Sequence, residues 1–549
     1  MQPVKSFIGK KLLDMLMFSM YPDAKIIFRE YVQNAFDSIN KAVSDGILPK
    51  VKDGIVSISI DKPARNISIK DNGAGIAVNY ALNVLTSIAD SQKDGIEQAG
   101  IYGIGRLVGA GYCNVLEFRT SAKGENCASV IKFDVNKTRA ILDDDNDHRS
   151  ATEVIDTIVN FDIVDEAAEA HYFEVVLHNV KDEYPILLSE EDIIEYLKEV
   201  APIDYEMPFK NNIMYDSIEA DSEFDKFQKG LKYIKLSVNG YPDIRKRYHN
   251  RIVGTNDEIH GLQYFKLEDS YYGMLAWGWF AITKFTKAIP ASDPNRGIRL
   301  RKLNIQVGEG NYLNEYFDES RGNNYFYGEI HAVHENLKPN TSRAGLTPTV
   351  EATTLFKKLN EYFKQLKFIY NLANKAKTAA RDITSATFKI QKGELSETEQ
   401  KDVQAILVSG QKKMESAVRS VVAQASSQNA EASKKILALY QKDIEEASAE
   451  SAEPIEHHSI TTIQTETPTE QQKSTFSVQS TKPPTEVNKE KASAITQVGV
   501  DIFQPLVEKY DKREVWMARR IFKSLSDNCP SGSISLIEDL KKLVIKDLS

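Results

Sequence analysis

FREYVQNAFDSIN, residues 28–40, puts Glu30, Asn34 and Asp37 at i, i+4 and i+7. A helix over this stretch lines all three side chains along one face. Ile26, Ile27, Tyr31, Ala35 and Ile39 take the remaining faces, which suits a helix lying against a sheet. A carboxylate can polarise an attacking water. A neutral amide oxygen one turn later can complete the shell of a magnesium ion that also holds phosphate oxygens. A merely solvated helix face has no need of Asn beside Glu at this spacing.

A second stretch, KDNGAGI at 70–76, follows NISIK (66–70), whose alternation predicts a half-buried strand. Asp71 at the strand end can accept a hydrogen bond from a base amino group. Gly73 and Gly75 let backbone approach a ring without a Cβ clash. Taken alone, DNGAG is equally an ordinary strand-to-turn link. The third stretch, GIYGIG at 100–105, carries Gly100, Gly103, Ile104 and Gly105. As GxxGxG it can bare backbone N–H groups to a triphosphate as a helix begins, although a lone glycine string is more often a loop. No Lys-Ser or Lys-Thr pair follows, so it is not a Walker A loop. It does not match the dinucleotide fingerprint either. The order of the three motifs, each with suitable residue types, argues against coincidence.

Together they resemble the ATP site of the GHKL group, the Bergerat fold shared by Hsp90, MutL, type II topoisomerases and sensor histidine kinases. YPDAKIIFREYVQNAFDSINK (21–41) is similar to the first long helix of Hsp90, including Lys41 one turn beyond Asp37. LTSIADSQK (85–93) resembles the approach to the Hsp90 lid, and GIYGIGRLVGAGY its glycine-rich end. The resemblance implies ATP and Mg2+ as cofactors, with Glu30 as general base and Asn34 as metal ligand. Asp71 would read the adenine. Asp37, Ser38, Lys41, Gly73, Gly75, Ile76, Gly100, Gly103, Ile104 and Gly105 complete the implied ATP site, with residues about 90–110 as lid. A histidine kinase is disfavoured, because no phospho-acceptor helix pair precedes the motif.

A second αβ-rich region resembles the S5-like Hsp90 middle domain. Strand-like runs fall at 233–241, 272–285, 297–307 and 325–333, before HENLKPNTSRAGLTP (334–348). That loop is similar to the Hsp90 catalytic loop, which implies Arg343 as a second catalytic residue reaching the γ-phosphate. A permanently charged planar donor suits the charge that develops there. The alternative is a surface arginine in a Pro-Asn turn.

The fold class expected is α+β, an α/β-sandwich ATPase domain with an αβ middle domain and a helical C-terminal region. The boundaries expected are 1–205 for the ATPase domain, 206–350 for the middle domain and 351–450 for a helical region able to dimerise. That region can be a hairpin, a coiled coil or a cover on the middle domain. Residues 451–495, rich in Thr, Ser, Glu, Gln and Pro, predict a disordered linker, and 496–549 a small helical module. A net charge of −9 gives no global pull toward nucleic acid. Arg296, Arg299, Arg301 and Lys302 form a local basic group whose alternation suggests a solvated strand edge. Three cysteines without metal-ligand spacing, no leader-like apolar stretch and no membrane-length segment fit a cytoplasmic protein. The expected activity is an Hsp90-like ATP-driven clamp, a homodimer acting on a protein client or partner subunit. The alternatives are a switch ATPase like MORC proteins or those beside bacterial defence genes, acting on protein or nucleic acid, and a nucleotide-binding scaffold.

Overall fold

The computed structural model describes residues 8–19, 23–87, 105–219, 222–393 and 395–450. The expected linker and terminal module therefore lie outside the described residues, as do Gly100, Gly103, Ile104 and most of the expected lid.

The first sheet has seven strands in the order β5-β4-β3-β6-β2-β1-β7. They are β1 (Ile55–Asp61), β2 (Asn66–Asp71), β3 (Val115–Ser121), β4 (Cys127–Asp134), β5 (Val159–Asp165), β6 (Tyr172–His178) and β7 (Lys235–Val238). In β1, buried and exposed residues alternate strictly. That pattern belongs to an antiparallel sheet with one face covered. The cover is the Ile26–Ser44 helix, thirteen of whose residues are buried. It ends where Gly46, at φ +72°, turns the chain and Ile47 N–H returns to Ala42 O at 2.8 Å. β7 comes from beyond residue 205, yet it pairs in parallel with β1, Ile55 opposite Lys235.

The second sheet runs β11-β10-β12-β9-β8. Its strands are β8 (Leu262–Asp269), β9 (Gly273–Ala281), β10 (Gly297–Lys302), β11 (Ile305–Val307) and β12 (Tyr327–Ala332). Leu303 and Asn304, both at positive φ, form the tight turn that splits the expected single run into β10 and β11. One face carries an aromatic cluster that includes Tyr205, Phe209, Tyr248 and Trp279. The other meets the long Val350–Lys392 helix through Phe265, Ile330, Leu359 and Phe363. With both faces covered, all six β10 residues are buried. The solvated basic edge is thereby corrected: Arg299, Arg301 and Lys302 are 5%, 1% and 3% exposed. Each is answered internally, Arg301 by Glu329 (Nε–Oε1 2.6 Å) and Lys302 by His334 O (2.7 Å). Lys246 and the Tyr205 hydroxyl also donate to the buried Glu329 carboxylate, at 2.9 and 2.5 Å, as does the Tyr248 hydroxyl at 3.2 Å. A buried carboxylate needs such partners to stay ionised.

The Val350–Lys392 helix stops at Gly393 (φ +72°), and a capping box at Ser396 and Glu399 starts Glu397–Ala423, completing a hairpin. A third helix, Ala430–Glu450, returns along the long one, with Ile436, Leu437 and Tyr440 in the shared core. The helical region is thus both hairpin and cover. Among the described residues no helix is long and apolar enough to cross a membrane.

Candidate active site

Glu30 is 6% exposed and Asp37 5%, on one helix face with the half-buried Asn34 between them. Gly105 lies hard against this face: a Cβ there would sit 2.6 Å from Glu30 Oε2. Tyr31, the residue after Glu30, donates its hydroxyl proton to Arg106 O (3.0 Å) and accepts from Gly109 N–H (2.9 Å). A Cβ at Gly109 would lie 2.5 Å from that hydroxyl oxygen. Gly105 and Gly109, at the C-terminal end of the expected lid, are therefore close-approach positions, one against the carboxylate and one against the Tyr31 hydroxyl.

At the other end of the face, Asp71 terminates β2 and is 4% exposed. Its Oδ1 accepts from Ser38 Oγ at 3.1 Å and from Gly73 N–H at 2.7 Å. Ala74 N–H binds Ser38 O, and Ile76 N–H binds Thr120 Oγ1 at 2.8 Å. His171 Nδ1 lies 2.9 Å from Gly73 O. A Cβ on Gly73 would fall 2.1 Å from Ser38 Oγ, and one on Gly75 (φ +64°) 1.9 Å from Ser121 O. Both glycines are required by close approach. Burial pushes Asp71 up to about 7, only partly offset by the Gly73 N–H, Ser38, the Phe173 backbone and Lys70. Lys41 is engaged elsewhere, exposed and paired with Asp45 at 2.5 Å.

This pocket has a pH consequence. If the ionised Asp71 accepts the base amino group, binding selects the deprotonated form. ATP affinity of the full chain should be flat above pH about 8 and weaken as pH falls through about 7. The apparent Kd should approach a tenfold rise per pH unit below it. Calorimetric titrations between pH 6 and 8.5 check this. Asp71→Asn should bind weakly at every pH, and a pH-independent Kd in the unaltered protein would discard the ionised acceptor.

The 334–348 loop is a tight turn, with Pro339 bridged to Leu346 and Asn340 N–H bonded to Gly345 O at 2.8 Å. Arg343 at its tip is 3% exposed with φ +53°. Such a conformation in a residue other than glycine stores strain and is held by its surroundings. Its N–H donates to Asn340 O at 3.0 Å, and its carbonyl accepts Gly308 N–H at 2.7 Å. Arg29 makes the connection to the first sheet's helix. Its Nη2 donates to Ser342 O at 2.8 Å and lies 3.7 Å from Glu30 Oε1, both side chains being buried. The structure thus brings the loop of Arg343 to the helix turn that carries Glu30. Arg29, Thr120 and His171 were missed in the sequence. Only Arg29 left a signal, a charge directly adjoining Glu30 in the helix.

Among the described residues no group of three His, Cys, Asp or Glu side chains could hold a metal. The half-buried Asn34 supplies one neutral oxygen. That donor set fits a magnesium ion that arrives with a triphosphate and keeps phosphate and water oxygens in its shell.

Comparison with known proteins agrees with this geometry. Residues 24–163 match the family described as histidine kinase-, DNA gyrase B-, and HSP90-like ATPase. The chain is similar to the chaperone protein HtpG of Bacillus velezensis, 25% identical over 267 residues, covering 42% of each chain. It is 23% identical to the HtpG of Francisella tularensis subsp. novicida over 275 residues, 46% of this chain and 43% of that one. Against the HtpG of Bacillus subtilis it is 33% identical over 112 residues, 18% of either chain. The chain spans less than half the length of these curated relatives in each match. The matched segment carries Glu30, Asn34 and Asp71 on a helix-covered sheet, so over residues 24–163 the chain is similar to the HSP90-like ATPases of that family.

Proposed function

We propose that the chain binds ATP with Mg2+ at this site and hydrolyses it to ADP and phosphate, driving a clamp cycle with chaperone or client-remodelling output. The observation carrying this reading is the Arg29–Ser342 hydrogen bond, which joins the Arg343 loop to the Glu30 helix. Glu30 takes a proton from water as the water oxygen bonds to the γ-phosphorus. The bond from that phosphorus to the bridging oxygen breaks, and its electron pair leaves with ADP. Arg343 offers its guanidinium to the charge that grows on the transferring group. Asn34 would hold the magnesium ion, which would supply charge neutralisation to the phosphates. Asp71, with Ser38 and the Gly73 turn, binds and orients the adenine. The Gly105–Gly111 turn, tied to Tyr31, closes around the phosphates and limits water. Closure of two chains uses the helical region, where the exposed Phe388, Ile390 and Ile406 support a self-contact.

Phosphate release and ATP affinity measured together on the full chain test this proposal. Asn34→Ala should lose magnesium-dependent affinity by about tenfold or more, because the metal bridge to the phosphates goes with it. ATP binding unaltered in that variant, or no phosphate release from the unaltered chain, would remove the proposal.

A further inference from the structure

Arg343 does not hold its own position. Its backbone sits at φ +53° on a tip whose carbonyl is held by Gly308 N–H. Gly308, just after β11, adopts φ +75°, and a Cβ there would lie 2.4 Å from the Tyr312 ring. The side chain of Gln306 holds the same residue from its other side, its Nε2 donating to Gly308 O at 3.1 Å. Gln306 is 2% exposed and also contacts Glu199, Nε2 to Oε1 at 3.4 Å. Arg299 closes the set: its Nη1 donates to Gln306 Oε1 at 2.9 Å and to the Glu199 carboxylate, while Nη2 donates to Pro294 O. Glu199 belongs to the Glu190–Val200 helix, and its own carbonyl accepts from Arg301 Nη2 at 2.9 Å.

We infer that Glu199, Arg299 and Gln306 form a positioning relay that sets Arg343 from the ATPase side. The Glu199 carboxylate anchors the guanidinium and amide, the amide holds Gly308 at its carbonyl, and the N–H of the same residue holds the Arg343 carbonyl. A shift of the Glu190–Val200 helix is transmitted to Arg343 along this chain of hydrogen bonds. The planar Arg299 fork, spanning a carboxylate, an amide and a carbonyl at once, is a geometry that lysine cannot reproduce. This inference rests on the catalytic reading of Arg343, and none of the three residues belongs to the proposed ATP site.

The test measures saturating ATP turnover and ATP affinity in the full chain for Gln306→Ala, Glu199→Gln and Arg299→Lys, with melting temperature as a folding control. Turnover should fall about 10- to 100-fold in Gln306→Ala, as expected for a misplaced catalytic group, with affinity unchanged. Glu199→Gln, which keeps the side-chain shape, should fall in the same direction if Gln306→Ala proves too unstable to assay. In an Arg343→Ala background, Gln306→Ala should cause no further loss, because it acts through Arg343. Losses that multiply, or unaltered turnover in both Gln306→Ala and Glu199→Gln while Arg343→Ala is impaired, would overturn the relay but leave Arg343 catalytic. Unaltered turnover in Arg343→Ala would instead remove the reading on which the relay rests.

Discussion

Glu30→Ala should lower ATP turnover about 10²- to 10⁴-fold, the usual contribution of a positioned general base. ATP affinity should hardly change. Glu30 stands at the Gly105 end of the helix face, away from the Ser38–Asp71 end that would hold the base. It lies one turn before Asn34, so its removal leaves the proposed metal bridge intact. Glu30→Gln keeps the shape and the contact with Arg29 but not the proton acceptor, so it should be as inactive as the alanine variant. Rapid-quench measurement with radiolabelled ATP and parallel equilibrium binding separate the two quantities. Turnover retained in Glu30→Gln would reassign the side chain to a structural partner of Arg29.

Arg343→Ala carries the second large effect, a fall in turnover of about 10²- to 10³-fold, as when one preorganised donor to a developing oxyanion is removed. The ground-state affinity for ATP should stay within about twofold, because the arginine acts on charge that appears only during transfer. The variant also gains something: its tip residue no longer holds a bulky side chain at positive φ, although alanine remains strained there. A melting temperature measured beside the rate therefore distinguishes lost chemistry from lost structure. Full turnover at unaltered stability would show that the tip is only a turn. The point variant is a cleaner test than a fragment ending near residue 205, which would lack β7 and leave β1 an open edge.

The site was legible where it is local. Glu30, Asn34, Asp37 and Ser38 share one helix, and spacing alone placed them on a face. Asp71 and the two glycines of its turn were legible only in company, because DNGAG alone reads equally as a strand-to-turn link and its order after the Glu30 helix made the difference. Arg343 could be named only from the likeness of its loop. Its meeting with the Glu30 helix depends on Arg29 reaching Ser342, residues far apart in the chain. Alternation misled the reading of β10, because it reports which residues share a face and not whether that face is covered. The aromatic cluster around Trp279 and the Val350–Lys392 helix cover both, and neither is encoded in the strand itself. Asn304 was similarly hidden: it sits in a hairpin turn, yet it is 2% exposed and donates to Ile203 O and Lys232 O. A turn residue used as an internal clamp has no local signature. β8 went unpredicted for a plainer reason, since LQYFKLED mixes charge and aromatics without a clean period.

β7 changes what counts as a separable part of this molecule. The edge of the first sheet is completed by a strand encoded beyond residue 205, with Val56 opposite Leu236. The first two hundred residues therefore cannot finish their own sheet during synthesis, and must wait for a distant segment to arrive. Loop closure over that span makes the pairing a late event, and until then the β1 edge is open to wrong partners. Once formed, the strand ties the melting of one region to the integrity of the next, so the two share a cooperative unit. A recombined gene that exchanges the ATPase half with a relative's would break this sheet unless the crossover lies beyond Val238.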